Sequence, residues 1–276
     1  MAQTNPTTFD FATLLEKAVS EPGLISRAYS LFHGYSIGNQ LLALMQCFAR
    51  GIEPGPIATF MHWKALGRSV RKGEKAIVLC MPVTCKRRST DDAPEPDEQP
   101  QAFTRFIYRP HWFVLSQTDG ATFTTPAIAG WDTSIALTAL GVTEEPFTMT
   151  DGNCQGYARQ RSIAVSPIAE LPHKTRFHEL AHVVLGHTTE HEMTDGEHTP
   201  RSIREVEAEA VALVCLEALG LAGAEHCRGY IQHWNARNGN APIAERSAQK
   251  IFKAADTILR AGRVVDDAVD ADLLAA

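Results

Sequence analysis

The sequence contains no run of 18 uninterrupted apolar residues, which is about the length that a membrane-spanning helix requires. Its first ten residues, MAQTNPTTFD, lack the basic start and the apolar core of a secretory signal peptide. We therefore expect a cytoplasmic protein with no membrane partner. Hydrophobic residues make up 44% of the chain and charged residues 21%, which indicates a soluble globular protein rather than a disordered one.

The six cysteines include no CxxC pair, which is the spacing typical of cysteine metal sites. They are scattered along 276 residues, whereas disulfide frameworks belong to small secreted domains. We expect reduced, mostly buried thiols that bind no metal.

The net charge of −6 is unevenly distributed. Residues 1–130 hold 13 Lys and Arg against 11 Asp and Glu, whereas residues 131–276 hold 13 against 21. Five of the N-terminal acids lie within residues 86–102, a polar, proline-containing and non-periodic segment that is typical of a mobile insertion. The asymmetry predicts two units with different partners.

Hydrophobic periodicity predicts an α+β fold. Residues 57–83 and 103–117 are predicted to form one sheet around a short helix that Thr59 caps and Gly67 ends, and Pro110 favours an edge position. Two further strands are predicted near 147–149 and 161–166. Helices are predicted over residues 9–20, 35–51, 133–141, 171–187, 201–219, 224–236 and 242–262.

The strongest chemical signal is the HExxH motif formed by His178, Glu179 and His182. Two histidines four residues apart project from the same face of a helix, where both can bind one metal ion. Glu179 is the expected catalytic base, and zinc is the expected metal because it lowers the pKa of a bound water toward neutrality.

Several residues compete for the role of third ligand. The extended motif HExxHxxGxxH is absent, because Leu185 and Thr188 occupy the positions of its glycine and last histidine. Histidines 187, 191 and 198 lie in a polar stretch that is typical of a solvated surface loop, although His187 and Tyr157 are also the available guesses for a transition-state donor.

The helix REVEAEAVALVCLEALGL offers carboxylates instead. Glu205 and Glu209 share one face with two alanines, which would allow close packing against the HExxH helix. The pattern favours Glu205 as the third ligand and Glu209 as a residue that orients a histidine, with Glu207 facing elsewhere. The alternative is an exposed acidic face.

The N-terminal half has a basic turn in WKALGRSVRKGEK, where five cations accompany one acid. Such a turn can bind phosphates, and aromatic side chains can stack on unpaired bases. The two tryptophans in this set could equally belong to the core. The predicted DNA-binding residues are Trp63, Lys64, Arg68, Arg71, Lys72, Lys75, Tyr108 and Trp112.

These motifs resemble two families. EVEAEAVA (205–212), following HExxH, resembles the ImmA/IrrE-like zincin metallopeptidases, with Glu209 where Asn or Asp is usual. The stretches 35–46, 59–79 and 112–120 resemble the single-stranded-DNA-binding domain of ArdC antirestriction proteins. The resemblance implies a DNA-binding domain over 1–128, with its insertion at 86–102, and a mainly helical zincin-like domain over 129–276. It also implies Zn²⁺, or another divalent ion such as Mn²⁺, as cofactor.

The resemblance further implies protection of incoming plasmid DNA from host restriction, with single-stranded DNA as partner. Two alternatives stay open. One is a metalloprotease that the first domain recruits to a DNA-bound protein or a repressor. The other is a DNA-binding protein with a structural zinc site, against which the intact Glu179 argues, because structural zinc needs no general base.

Overall fold

The computed structural model describes residues 10–86, 102–150, 152–188, 200–240 and 242–264. The chain forms two compact units. Unit 1 comprises the residues up to Leu41 together with those from Thr125, and unit 2 comprises Leu42–Thr124. The predicted domain boundary at residue 128 lies close to the division between residues 124 and 125. Residues up to 41, however, belong to the same unit as the C-terminal part. Residues 87–101 of the predicted insertion lie outside the described residues. Among the described residues, no helix has the length and apolar character needed to cross a membrane.

The helices and strands alternate in a mixed order, so the predicted α+β class is confirmed. The helices are α1 (Phe11–Ser20), α2 (Leu24–Phe32), α3 (Ile37–Arg50), α4 (Phe60–Ala65), α5 (Thr133–Leu140), α6 (Pro172–Val184), α7 (Arg201–Leu219), α8 (Ala224–Arg237) and α9 (Glu245–Ala261). The strands are β1 (Ile57–Thr59), β2 (Arg68–Val70), β3 (Ile77–Lys86), β4 (Ala102–Val114), β5 (Thr118–Gly120), β6 (Thr143–Glu144), β7 (Gly156–Arg159) and β8 (Ser162–Val165).

All seven helices predicted from periodicity are present, with ends that differ by a few residues. Helix α2 was not predicted. It begins after Gly23, which has a left-handed backbone (φ +79°) and no capping side chain, so the usual start signal is absent. The strand predicted at 147–149 is wrong. Phe147 packs its ring against Tyr157 at a centroid distance of 5.8 Å, and strand β6 lies earlier in the chain.

The predicted sheet of unit 2 is confirmed, with the antiparallel order β1-β4-β3. Strand β4 is therefore central at residues 112–114, whereas Pro110 pairs only with β3 among the described strands, so the edge position inferred from Pro110 holds locally. The proline is tolerated because β1 pairs only with residues 112–114 of β4, so β1 requires no hydrogen bond at Pro110. Strands β2 and β5 pair separately and hold the basic turn.

Unit 1 is built around α7, whose residues from Val206 to Glu217 are all buried. This helix packs against α2, α6, α8 and α9, which explains its apolar character on every side. Arg228 on α8 pairs with buried Glu217 and donates to the carbonyl of Ala18 at 2.7 Å. This contact ties α1 to the C-terminal helices, because a buried guanidinium requires partners.

Helix α6 lies between α7 and a small sheet of order β6-β8-β7. Pro172 occupies its first turn, where no backbone hydrogen bond is lost. Gly186, with φ +76°, ends it in a Schellman motif: its N–H donates to Val183 O at 3.1 Å and that of His187 to His182 O at 2.8 Å. The HExxH motif is thus held on a rigid element.

Candidate metal centre

The two histidines of the HExxH motif face each other along α6. The Nε2 atoms of His178 and His182 lie 3.1 Å apart, and the ring centroids are 4.8 Å apart. Both rings are largely buried, with side-chain exposures of 16% and 14%. The spacing of four residues on one helix therefore places two imidazole nitrogens close enough to bind the same ion.

Glu205 on α7 completes a group of three donors. Its Oε2 lies 3.5 Å from Nε2 of His178 and 3.7 Å from Nε2 of His182. Donor atoms around a tetrahedral zinc ion, with bonds of about 2.0–2.2 Å, are about 3.4 Å apart. Within the described residues, these three side chains form a group that fits a metal ion. The donor set of two imidazoles and one carboxylate is also suited to zinc.

A second carboxylate of α7 supports the first histidine. Glu209 Oε1 lies 3.3 Å from Nδ1 of His178 and 2.8 Å from Nζ of Lys174. Burial opposes ionisation of Glu209, but His178 and Lys174 outweigh it and lower its pKa to about 2. Burial likewise opposes protonation of His178, yet Glu205 and Glu209 raise its pKa to about 9. The departure from the usual Asn or Asp at 209 thus leaves the orienting contact in place.

Glu179 directly follows His178 on α6 and is 8% exposed. Burial raises the pKa of its carboxyl group, against the opposing effect of the two neighbouring histidines. Gly156 on β7 leaves room for it: a Cβ there would lie 2.5 Å from Thr175 Cγ2 and 3.1 Å from Glu179 Oε1. A buried carboxylate of raised pKa beside the two histidines of the candidate metal centre is suited to proton transfer near neutral pH.

Sequence reasoning missed the contacts of His187, which was expected in a solvated loop. Its side chain is 7% exposed and lies between His182 and Glu207. The sequence feature that could have indicated these contacts is Gly186, which ends α6 and folds the next residue back onto the helix. Neither His187 nor Tyr157, whose hydroxyl lies 3.4 Å from Thr148 Oγ1, joins the group of donors. Residues 191 and 198 lie outside the described residues.

The basic turn of unit 2 divides into two kinds of cation. Arg68 donates to Thr118 Oγ1 at 2.8 Å and to the carbonyl of Ala121, which fixes β2 to β5. Arg71 pairs with Glu74 at 2.8 Å and donates to Ser116 O. Both arginines therefore have internal partners. The lysines at 64, 72 and 75 are exposed.

The aromatic residues predicted to stack on bases also divide. Trp63 and Trp112 are 1% and 6% exposed, and Trp63 Nε1 donates to Phe113 O at 2.8 Å. These tryptophans belong to the core of unit 2, which corrects their assignment as stacking residues. Tyr108 is 39% exposed on β4, and Phe106, which shares its face of the strand, is 67% exposed.

Comparison with known proteins identifies a family for part of the chain. Residues 16–111 match the family model described as the N-terminal domain of anti-restriction factor ArdC. A metal-free crystal structure of the antirestriction ArdC protein from plasmid R388 has a TM-score of 0.49 at 18% identity and covers 91% of this chain and 94% of that chain. The Mn(II)-bound structure of that protein has a TM-score of 0.50 at 18% identity, with coverage of 92% and 98%.

A search of curated protein sequences found no match. The Mn(II)-bound ArdC structure shows a shared fold over nearly the whole chain, and the family model covers α2 and α3 and most of the described sheet of unit 2. The resemblance to ArdC is therefore confirmed: residues 16–111 match the model of the ArdC N-terminal domain, and the chain has the fold of ArdC. The resemblance of the C-terminal part to ImmA/IrrE-like zincins stays a prediction.

Proposed function

We propose that this chain is an ArdC-type antirestriction protein that binds single-stranded DNA and carries a hydrolase-type metal site. The observation that carries the antirestriction role is the match of residues 16–111 to the ArdC N-terminal domain. The protein would act in the cytoplasm, where incoming plasmid DNA meets host restriction enzymes. The proposed division of labour gives DNA binding to the exposed lysines and aromatics of unit 2 and the metal chemistry to α6 and α7.

Exposed side chains of unit 2 support the DNA-binding proposal in a revised form. Lysines 64, 72 and 75 present ammonium groups to solvent, which suits contact with phosphates. Tyr108 and Phe106 present ring faces, on which unpaired bases can stack whatever their sequence. Arg68 and Arg71 stabilise the turn and are not the main phosphate contacts. Trp63 and Trp112 are no longer among the proposed DNA-binding residues.

His178, His182 and Glu205 would hold the metal, as a His₂Glu set with an open fourth position. A bound divalent ion would supply Lewis acidity and lower the pKa of water at that position. The donor spacings of 3.1, 3.5 and 3.7 Å leave room for a divalent ion, and a set of two imidazoles and one carboxylate is suited to zinc. The R388 ArdC structure contains Mn(II), so manganese is the second candidate.

Glu179 would act as the base that takes a proton from the attacking water and later delivers it to the leaving group. Its raised pKa supports this role, because a carboxylate of ordinary pKa holds a proton poorly near neutral pH. The same observation favours a catalytic site over a structural one. It leaves open a second function, cleavage of a protein that the DNA-binding unit brings to the site.

A restriction-protection assay tests the proposal. Wild type, Glu179→Gln and a Lys64/Lys72/Lys75→Ala variant would be compared for survival of a plasmid entering cells that carry a restriction enzyme. Loss of protection in the lysine variant alone indicates that DNA binding suffices. Loss in both indicates that hydrolysis is also required. Full protection by both variants, or none by the wild type, would contradict the proposed function.

A further inference from the structure

The turn after α6 carries a histidine that the proposed chemistry does not use. The Schellman motif around Gly186 folds His187 back against the last turn of the helix. Two further contacts hold this turn: Arg204 Nη1 donates to His187 O at 3.2 Å, and Thr188 Oγ1 donates to Gln160 O at 2.6 Å. The turn that carries His187 is therefore held by α7 and by the β7–β8 hairpin.

Both ring nitrogens of His187 have a partner. Nδ1 lies 3.0 Å from Nδ1 of His182, and Nε2 lies 3.1 Å from Oε2 of Glu207. Glu207 is 1% exposed, and a carboxylate so buried needs a partner. The three side chains form a continuous row from α7 to the metal group.

Metal binding would determine which atom is the donor in each hydrogen bond of this row. Nε2 of His182 faces Glu205 and His178, so it must keep its lone pair to act as a ligand. Nδ1 of His182 then carries the proton and donates it to Nδ1 of His187. The remaining proton of His187 lies on Nε2 and is donated to Glu207, which is an acceptor only. The four ring nitrogens and Oε2 of Glu207 therefore have compatible roles.

We propose that His187, with Glu207 behind it, is a positioning residue that sets the ring orientation and tautomer of His182. The inference rests on the metal site proposed above. His178 has the corresponding support directly, from Glu209 at 3.3 Å. Each metal-binding histidine is thus backed by a carboxylate of α7, one by contact and one through an intervening imidazole. Such outer contacts hold a ligand ring in place and increase its basicity.

Two substitutions of similar size separate hydrogen bonding from packing. In His187→Gln, the amide oxygen can accept from His182 and the amide nitrogen can donate to Glu207, whereas His187→Leu offers neither group. The zinc dissociation constant would be measured by competition with a chromogenic chelator. We expect His187→Leu to weaken zinc binding by about 10- to 100-fold and His187→Gln to recover most of that loss.

Glu217→Gln provides the matched control, since it alters another buried carboxylate of α7 that pairs with Arg228 and not with a histidine. We expect it to lower the melting temperature of the metal-free protein and to leave the zinc dissociation constant unchanged. Equal zinc affinity in wild type and His187→Leu would overturn the inference alone. Equal losses in the Leu and Gln variants would reduce His187 to a packing residue. A wild type that binds no zinc would overturn the metal site itself.

Ring ¹⁵N NMR of the zinc-loaded wild type gives a readout that does not depend on the variants folding. The expected spectrum has His187 neutral, with its proton on Nε2, and His182 with its proton on Nδ1. A doubly protonated His187, or a proton on its Nδ1, would contradict the proposed row of hydrogen bonds.

Discussion

The HExxH helix and the basic turn were both conspicuous in the sequence, yet their residues fare differently in the structure. In α6, a spacing of four residues places His178 and His182 within 3.1 Å of each other. In unit 2, Arg68 and Arg71 bind carbonyl and carboxylate groups of the protein itself. Helix geometry determines where the side chains of the HExxH motif lie relative to one another. A count of positive charges does not determine which cations face solvent.

The largest expected effect is the loss of metal from the α6–α7 site. His182→Ala removes one of the three proposed ligands, and we expect the purified protein to fall from close to one divalent ion per chain to nearly none. Glu205→Gln should lose most of the metal as well, because a neutral amide is a weak ligand. Metal analysis of protein dialysed against trace zinc provides the measurement.

Glu207→Gln is the control for that experiment, as it lies two residues along the same helix and outside the donor group. It should retain about one ion when zinc is in excess, with at most the weaker affinity expected of a supporting residue. If Glu207→Gln loses the metal and Glu205→Gln keeps it, the assignment of ligands is wrong.

A second contrast concerns the arginines of the two units. Arg228 is buried and pairs with Glu217, so Arg228→Leu leaves a buried carboxylate without its cation. Breaking such a pair costs about 3–5 kcal/mol of unfolding free energy. Arg71 is exposed, and Arg71→Ala should leave stability nearly unchanged. Urea unfolding of both variants checks the comparison, which fails if Arg71→Ala is the more damaging.

The salt dependence of DNA binding sharpens the assignment of the basic turn. Lys64/Lys72/Lys75→Ala removes three exposed cations, and each phosphate contact contributes about 0.7 to the slope of log affinity against log salt concentration for a single strand. We expect the slope to decrease by about 2 in fluorescence-anisotropy titrations with a single-stranded oligonucleotide. An unchanged slope would place the phosphate contacts elsewhere.

The smallest expected effect is the loss of one stacking surface. Tyr108→Ala should weaken binding to single-stranded DNA by about 1–3 kcal/mol, which is the usual contribution of a base stacked on an aromatic ring. Binding to duplex DNA should be little affected, because paired bases offer no free face. Equal weakening for both forms of DNA would indicate that Tyr108 contributes to the fold rather than to stacking.

The sequence predicted most helices of this chain, and it named the three side chains that come together at the candidate metal centre, because helical spacing determines which residues share a face. It did not predict the role of His187, since the contact with Glu207 joins residues 20 positions apart across two helices. It placed α1 with the N-terminal domain, because the pairing of Arg228 with Glu217 and with the carbonyl oxygens of α1 leaves no local signal. The burial of Trp63 was likewise a matter of tertiary packing.

The affinity of Glu179→Gln for single-stranded DNA tests the separation of the two regions most directly. This change replaces the proposed base by an amide of the same shape and leaves both histidines in place, so the metal should be retained. We expect a dissociation constant equal to that of the wild type, measured on protein whose metal content has been verified. Abolished DNA binding with the metal still present would show that the metal site forms part of the DNA-binding surface, and would contradict the division of function proposed here.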